Sequence, residues 1–183
     1  MKVAWSALTP ERVLGPVRDL IPDCGTVLDV GAGTGHIASW LTARGCNVVA
    51  VEPVAELWQT PGLRRITDTL PKLATIEGPF DMILLSGVWH HLDASARAVA
   101  WDRLAALLAT EGQVLMSFRH GPSPENRPAF PIDLSKERAA ALRSGLAVTA
   151  SRSSGSIQAT NKAAGVTWTW LALKHSARPR AKV

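Results

Sequence analysis

The stretch VLDVGAGTGHIASWLTARGCNVVAVE, residues 27–52, decides how this chain folds. The apolar run TVLDV at 26–30 predicts a buried strand, and the run at 46–52 predicts a second one. A glycine-rich turn and a helix through Arg44 connect the two strands. Strands that are apolar throughout and alternate with helices are typical of a parallel sheet that is covered on both faces.

The glycine-rich turn gives the first indication of function. Gly31, Gly33 and Gly35 lie where the first strand passes into the helix, and open parallel sheets bind their ligands at this edge. Residues without side chains let a ligand approach the backbone closely. Glu52 ends the second strand, where a carboxylate can accept hydrogen bonds from both hydroxyls of a ribose.

The spacing and the charges around this turn favour one class of nucleoside over another. Dinucleotides place a pyrophosphate on the helix N-terminus and use the pattern G-x-G-x-x-G. Here the pattern is G-x-G-x-G, and His36 occupies the usual third-glycine position. Asp29, two residues before the turn, would repel a pyrophosphate and attract a ligand that carries an ammonium and a sulfonium group. The charges therefore favour S-adenosylmethionine over NAD.

The rest of the chain continues the alternation of strands and helices. Further strands are predicted at 63–67, 80–87, 113–118, 146–152 and 166–173, and further helices at 10–21, 93–111 and 135–144. Gly112 is expected to end the helix 93–111 as a left-handed residue. The last two strands lack a convincing helix between them, which indicates an antiparallel pair at the sheet edge. The expected fold is α/β and Rossmann-like: a doubly wound, mostly parallel seven-stranded sheet with an antiparallel edge strand and helices on both faces.

Four motifs in this order resemble those of class I S-adenosylmethionine-dependent methyltransferases. LDVGAGTG followed by Glu52 is similar to the first two, and GQVLMSF to the fifth strand. FDMILLSGVWHHL resembles the fourth-strand motif of the small-molecule type, and Asp68 resembles the acidic residue that contacts the adenine amino group. The resemblance covers residues 26–118 and implies in-line methyl transfer from S-adenosyl-L-methionine. The cofactor-binding residues that it implies are Asp29, Gly31, Gly33, Gly35, Glu52, Asp68 and Ser86.

The side chains that follow the fourth strand are candidates for the acceptor site. His90 or His91 is the candidate catalytic base for an oxygen acceptor, since an unperturbed imidazole titrates near neutrality. Alternatively, the two histidines only shape the pocket or cap the helix that begins near Asp93. Trp89 is expected to stack on the adenine or on the acceptor.

Strand five lies next to strand four in this fold, so Arg119 and His120 should emerge beside His91. We expect these three residues to form a basic rim that holds an anionic acceptor group, such as a carboxylate or a phosphate. The alternative is that Arg119 pairs with Asp133 or Glu125 and pins the proline-rich loop.

Composition is consistent with one domain at 1–174 and a basic C-terminal tail at 175–183. Of the 183 residues, 46% are apolar and 19% are charged, so a sizeable core can form. Cys24 and Cys46 are too few for a disulfide framework or a cysteine zinc site, and no metal is expected. No apolar run approaches the length of about 20 residues that a membrane span requires, and a cytoplasmic location is the default expectation.

Other functions stay open at this point. The formal charge of +5 and the basic tail suit an RNA- or protein-modifying methyltransferase, and a non-catalytic scaffold that binds partners through this fold is a further alternative. The fourth strand ends in SGVWHHL rather than in an Asn/Asp-Pro-Pro-Tyr/Phe motif, which argues against exocyclic base methylation. The expected partner is a small-molecule acceptor. A homodimer could close the acceptor site.

Overall fold

A computed structural model describes residues 8–23, 25–124 and 129–176 of the chain. The strands in that part of the chain are β1 (Thr26–Val30), β2 (Asn47–Val51), β3 (Arg65–Ile66), β4 (Phe80–Leu85), β5 (Leu108–His120), β6 (Leu146–Gly155) and β7 (Thr167–His175). The α-helices are α1 (Pro10–Val13), α2 (His36–Ala43), α3 (Ala94–Leu107), α4 (Leu134–Arg143) and α5 (Ala159–Ala163). Short 3₁₀ helices lie at Gly15–Leu20, Ala55–Leu57 and Trp89–His91.

The strands form one seven-stranded sheet in the order β3-β2-β1-β4-β5-β7-β6. The pairs from β3 to β5 are parallel, and β7 runs antiparallel to both β5 and β6. The predicted fold class is therefore confirmed. From β1 the chain first builds outward through β2 and β3 and then returns to place β4 on the other side of β1. Such a switch point is where open α/β sheets bind ligands.

Helices cover both faces of this sheet, as the apolar strands predicted. Successive strand residues point to opposite faces, so neighbours such as Val27 and Leu28 belong to different buried clusters. The cluster on one side includes side chains of α3 and α4, and the cluster on the other side includes side chains of α1 and α2. Helices thus pack against the sheet from both faces.

The first helix differs from the prediction. The sequence predicted one helix over 10–21, whereas α1 ends at Val13 and a 3₁₀ helix continues over Gly15–Leu20. The cause is Pro16, which lacks an amide N–H and disfavours the α conformation at the preceding residue. The two short helices still pack their apolar face on the sheet through Leu14 and Val17.

The end of the helix 93–111 also differs from the prediction. Asp93 caps α3 by accepting a hydrogen bond from the N–H of Ala96 at 2.8 Å, but α3 ends at Leu107 and β5 begins at the next residue. Gly112 lies inside β5 rather than in a left-handed C-cap. A Cβ atom there would come within 2.8 Å of the carbonyl oxygen of Phe80, so the close approach of β4 requires glycine.

Some predictions concern residues outside the described ranges. These residues are Cys24, Glu125 and the tail from 177 onward, whereas Cys46 is described and buried in the core. Within the described ranges, no helix combines the length and the apolar character that crossing a bilayer would need.

Candidate functional site

The glycine-rich turn is fastened to the neighbouring strand and packed on two sides. The backbone N–H groups of Gly31 and Ala32 both donate to the carbonyl oxygen of Val51, at 2.8 and 2.9 Å. A Cβ atom at Gly31 would overlap the side chain of Val88, and one at Gly35 would lie 2.7 Å from the ring of Trp58. Larger residues at these two positions would therefore displace the turn.

Gly33, between these two glycines, faces open space. A Cβ atom there would meet nothing within 4 Å, and the residue has a φ of +58°. Its N–H donates to Oε2 of Glu52 at 2.9 Å. Oε1 of the same carboxylate accepts from the N–H of Val54 at 2.8 Å. The predicted cofactor-binding glycine and the predicted ribose-binding acid are thus in direct contact.

A second carboxyl group lies beneath this turn. Asp29 is 2% exposed, and its Oδ2 atom has no hydrogen-bond partner among the described residues. Burial, together with the nearby charge of Glu52, raises the pKa of Asp29 to about 7. A buried carboxyl group without a partner costs free energy. A positively charged ligand beside the turn would offset this cost, so the donor set fits a cationic nucleoside.

Two further predicted cofactor residues lie near the same edge of the sheet. Asp68 follows β3, and its carboxylate accepts 2.7 Å hydrogen bonds from the N–H groups of Thr69 and Thr75 and from the Thr75 hydroxyl. Partial burial works to raise the pKa of Asp68, and these hydrogen bonds outweigh it and lower the pKa. Ser86 is half-buried directly after β4. Their contact with a cofactor stays a prediction.

The segment after β4 connects the turn to a cavity. Val88 packs against Gly31, and two residues later His90 lines a cavity of about 420 Å³. The other lining residues are 119–123, at and beyond the end of β5, and 129–132, in the loop before α4. The cavity therefore opens at the carboxyl ends of β4 and β5, beside the glycine-rich turn.

The two candidate histidines differ in position. His90 is 6% exposed and lines the cavity, whereas His91 is exposed and lies outside the cavity lining. Their rings are 4.2 Å apart, and the ring of His90 also meets Trp168 edge-on at 5.9 Å. His120 lines the cavity as well, and its Nε2 is 3.0 Å from the hydroxyl of Thr169. Of the three residues of the expected rim, Arg119 and His120 line the cavity together with His90, and His91 lies next to His90 outside this lining.

Arg119 is buried, with 8% of its surface exposed. Its guanidinium donates to three neutral acceptors, the carbonyl of Pro122, the hydroxyl of Ser123 and the side-chain carbonyl of Asn161. Nη1 has no hydrogen-bond partner among the described residues. Burial lowers the pKa of Arg119.

The proposed pairing of Arg119 with Asp133 is wrong. Asp133 is the N-cap of α4, where Oδ1 accepts hydrogen bonds from the N–H groups of Ser135 and Lys136 at 3.0 and 3.3 Å. Its other carboxylate oxygen is 3.9 Å from the ammonium of Lys136. Glu125, the other proposed partner, lies outside the described residues.

Trp89 is a core residue in this structure and not a stacking surface. Its side chain is 0% exposed, and its indole N–H donates to Oε2 of Glu137 at 3.0 Å. The ring packs on Trp101 with 4.6 Å between centroids. The expectation that Trp89 contacts adenine or acceptor is therefore not supported, because no face of the ring reaches the cavity.

Sequence reasoning missed a buried polar network behind the cavity wall. Arg97 forms an ion pair with Glu137 at 3.2 Å, and both side chains are less than a tenth exposed. Arg97 also donates to the carbonyl oxygens of Phe130 and Pro131, at 3.1 and 2.9 Å. The one indication in the sequence that Arg97 is buried is its position on the same face of α3 as Trp101. The network holds the loop that forms one wall of the cavity.

Comparisons with known proteins give the family. A family model described as "Methyltransferase domain" matches residues 6–165. An uncharacterized methyltransferase from Alkaliphilus oremlandii is 28% identical over 141 residues, which are 70% of this chain and 62% of that protein. An uncharacterized methyltransferase from Mycobacterium tuberculosis is 35% identical over 78 residues, 40% of this chain and 32% of that protein. The chain thus spans less than two thirds of either relative.

A solved structure has the same fold. The 1,6-didemethyltoxoflavin-N1-methyltransferase of Burkholderia thailandensis, crystallised with 1,6-didemethyltoxoflavin and S-adenosylhomocysteine, aligns with a TM-score of 0.75 and 19% identity. The alignment covers 96% of this chain and 82% of that protein. The resemblance of the four sequence motifs to class I methyltransferases is thereby confirmed, and the chain belongs to the methyltransferase-domain family.

Proposed function

We propose that this protein transfers a methyl group from S-adenosylmethionine to a small-molecule acceptor. The observation that carries the proposal is the junction at the carboxyl edge of the sheet. There, Asp29, whose Oδ2 has no hydrogen-bond partner among the described residues, lies beneath the glycine-rich turn that leaves Gly33 open. Val88 packs on that turn, and His90, two residues later, lines a cavity. This arrangement supports a cofactor site at the turn with an acceptor site next to it.

The residues at the turn suit the cofactor. Asp29 supplies a carboxylate for a positive charge, and the open side of Gly33 admits a ligand close to the backbone. Each oxygen of the Glu52 carboxylate accepts one backbone hydrogen bond and keeps capacity to accept another from a ribose hydroxyl. When bound, S-adenosylmethionine supplies a methyl group made electrophilic by the positive charge on its sulfur.

The protein's own part in the reaction is to position the acceptor and remove a proton. Positioning in a near-attack geometry can contribute about 7–11 kcal/mol to lowering the barrier. For an acceptor with an O–H group, we propose His90 as the base, because its imidazole lines the cavity and can take the proton as the new O–C bond forms. His91 is exposed and is the weaker of the two candidates.

The size of the cavity supports a small acceptor. Its volume of about 420 Å³ lies within the range of about 300–1,000 Å³ that small-molecule sites occupy. The loop 129–132 and the segment 119–123 enclose it from two sides. The Burkholderia protein of the same fold was crystallised with a small molecule, 1,6-didemethyltoxoflavin, which also supports this acceptor class.

A labelled-methyl assay tests this function. The protein is incubated with S-adenosylmethionine that carries a radioactive methyl group and with cell extract that has been separated into small-molecule, RNA and protein fractions. We expect label to enter the small-molecule fraction, and the Glu52→Ala variant to show no transfer. Label that enters only RNA or protein would contradict the proposed acceptor class, and no transfer into any fraction would contradict the activity.

A further inference from the structure

We infer that the acceptor carries a carboxylate group, which Arg119 binds inside the cavity beside His90. This inference rests on the proposed function, since it names the chemical class of the acceptor for the same site. It also revises the expected rim, because it assigns the anion to one buried arginine rather than to a group of surface cations.

Arg119 is buried, and no counter-charge to it lies among the described residues. All three groups that accept its hydrogen bonds are neutral: a backbone carbonyl, a hydroxyl and an amide oxygen. No carboxylate among the described residues forms an ion pair with it, and the carboxylate of Asp133 is committed to the start of α4. A buried cation without an anionic partner costs free energy, and a bound anion would repay that cost.

The guanidinium of Arg119 is held in place. Its contacts with Ser123 and Asn161, on two different segments, fix its plane, and its central carbon lies 5.8 Å from the ring centre of Trp168. Nη1 keeps its N–H donors unused among the described residues. A fixed guanidinium with spare donors on Nη1 is suited to bind a carboxylate oxygen through a charge-assisted hydrogen bond.

The other residues of the cavity also affect which anion can bind. Its described lining contains no acidic side chain. Phe130, Pro131 and Ile132 are apolar members of the lining, and the two histidines add ring nitrogens. Arg119 is the one permanent cation in the described lining, and a single cation matches a singly charged carboxylate better than a doubly charged phosphate.

The position of Arg119 determines how a bound carboxylate would orient the acceptor. Arg119 lies near the end of β5, and His90 follows the adjacent parallel strand β4. Both line the same cavity. A carboxylate held by Arg119 therefore fixes one end of the acceptor and leaves the other end to be presented to His90 and to the cofactor turn.

Benzoate and benzamide test the inference, since they share a ring and differ in charge. Binding of each is measured by saturation-transfer NMR in the presence of S-adenosylhomocysteine, with wild-type protein and with Arg119→Gln, Arg119→Lys and Arg138→Gln. Arg138 is an exposed arginine that donates to Ser151 and serves as the matched control. We expect benzoate to bind wild type and Arg138→Gln in the millimolar range usual for fragments. Benzamide should bind at least about tenfold more weakly, because it cannot pair with the cation.

The variants show whether benzoate binding is lost because the contact with Arg119 is removed or because the protein unfolds. Arg119→Gln should lose benzoate binding by about tenfold or more, and Arg119→Lys should recover part of it. Unchanged S-adenosylhomocysteine affinity and an intact thermal transition show that each variant is folded. Equal binding of benzoate and benzamide, undiminished binding by Arg119→Gln, or no benzoate binding would overturn the inference. Tighter binding of phenyl phosphate than of benzoate would overturn the carboxylate assignment. Failure of the proposed function itself would appear separately, as wild-type protein that does not bind S-adenosylhomocysteine.

Discussion

The backbone N–H of Gly33 donates to Oε2 of Glu52 over 2.9 Å, so the open glycine of the turn and the acid at the end of β2 form one unit. The second oxygen of this carboxylate is held by the N–H of Val54. A ligand that lies against Gly33 therefore also lies close to a carboxylate whose orientation is fixed by two backbone groups.

The Gly33→Ala variant should lose cofactor affinity, together with the stability that backbone strain costs. The new methyl group would enter space that is empty in the protein, and a left-handed conformation costs an alanine about 1–2 kcal/mol. We expect the Kd for S-adenosylhomocysteine to rise at least about tenfold, as measured by calorimetric titration.

The control for this variant is Gly45→Ala. Gly45 also has a positive φ, +92°, and open space at its Cβ position, but it lies before β2, at the amino end of that strand. It should show a similar loss of stability and unchanged affinity. Equal loss of affinity in both variants would mean that backbone strain, and not an occupied site, explains the result.

The Asp29→Asn variant should be more stable than wild type above neutral pH and bind the cofactor more weakly. The pKa of Asp29 is raised from its ordinary value of 3.8 to about 7 in the folded protein. The folded state disfavours the ionised form of Asp29. The wild-type protein therefore loses stability as the pH rises from 3.8 to about 7. A shift of about three pKa units sets an upper limit of about 4 kcal/mol on the free energy of unfolding that ionisation of Asp29 removes.

Thermal unfolding checks the sign of this effect. The Tm of Asp29→Asn minus that of wild type should be larger at pH 8 than at pH 4, by roughly 2–4 °C for each kcal/mol. A difference in Tm that does not change with pH would show that Asp29 does not titrate in this range.

Cofactor binding should depend on pH for the same reason. A cationic ligand favours the ionised form of Asp29, so the affinity of wild type for S-adenosylmethionine should increase as the pH rises through about 7. Asp29→Asn should show a flatter profile over this range. The affinity of each protein for S-adenosylmethionine is measured by titration at pH 6 and at pH 8. An equal change in affinity between the two pH values in wild type and Asp29→Asn would argue against a direct role of this carboxyl group.

The Glu137→Gln variant should weaken both the fold and the acceptor cavity. It leaves Arg97 as a buried cation without its ion-pair partner, and breaking a buried pair on one side costs about 3–5 kcal/mol. Because Arg97 also holds the carbonyls of Phe130 and Pro131, the KM for the acceptor should rise while the Kd for S-adenosylhomocysteine stays unchanged.

The exposed pair of Arg44 and Asp23, at 3.3 Å, is the matched control. Asp23→Asn should change the Tm by no more than about 1 °C, because exposed ion pairs contribute little. A Glu137→Gln protein as stable as Asp23→Asn would contradict the structural role assigned to the buried network.

His90→Gln and His91→Gln should differ in rate. If the acceptor has an O–H group, His90→Gln should reduce kcat by about 10²–10⁴-fold, the usual contribution of a general base. His91→Gln should remain close to wild type, because this side chain lies outside the cavity lining. The reverse order of effects, measured as initial rates of methyl transfer, would transfer the role of base to His91.

The features that sequence predicted correctly are those that a parallel sheet places by rule. Asp29, Gly33 and Glu52 meet because the carboxyl ends of adjacent parallel strands lie at one edge. Pairing of Asp29 with Ala50, opposite it in β2, aligns these ends. The alternation of apolar strands and helices was sufficient to predict this arrangement without any knowledge of individual contacts.

The errors concern directions of single side chains and contacts between distant segments. A position after a strand does not tell whether Trp89 faces the cavity or the core, and here Glu137, 48 residues away, takes its indole N–H. The close approach of β4 to Gly112 is equally invisible to a local pattern, so a glycine that sequence assigned to a helix end lies inside a strand. Such contacts depend on the packing of the complete fold.

Calorimetric titration of the purified protein with S-adenosylhomocysteine and, separately, with NAD shows which class of nucleoside the glycine-rich turn binds. The buried carboxyl of Asp29 and the open turn at Gly33 predict one molecule of S-adenosylhomocysteine bound per chain and no detectable binding of NAD. Binding of NAD or of a nucleotide phosphate by protein that ignores S-adenosylhomocysteine would contradict the account.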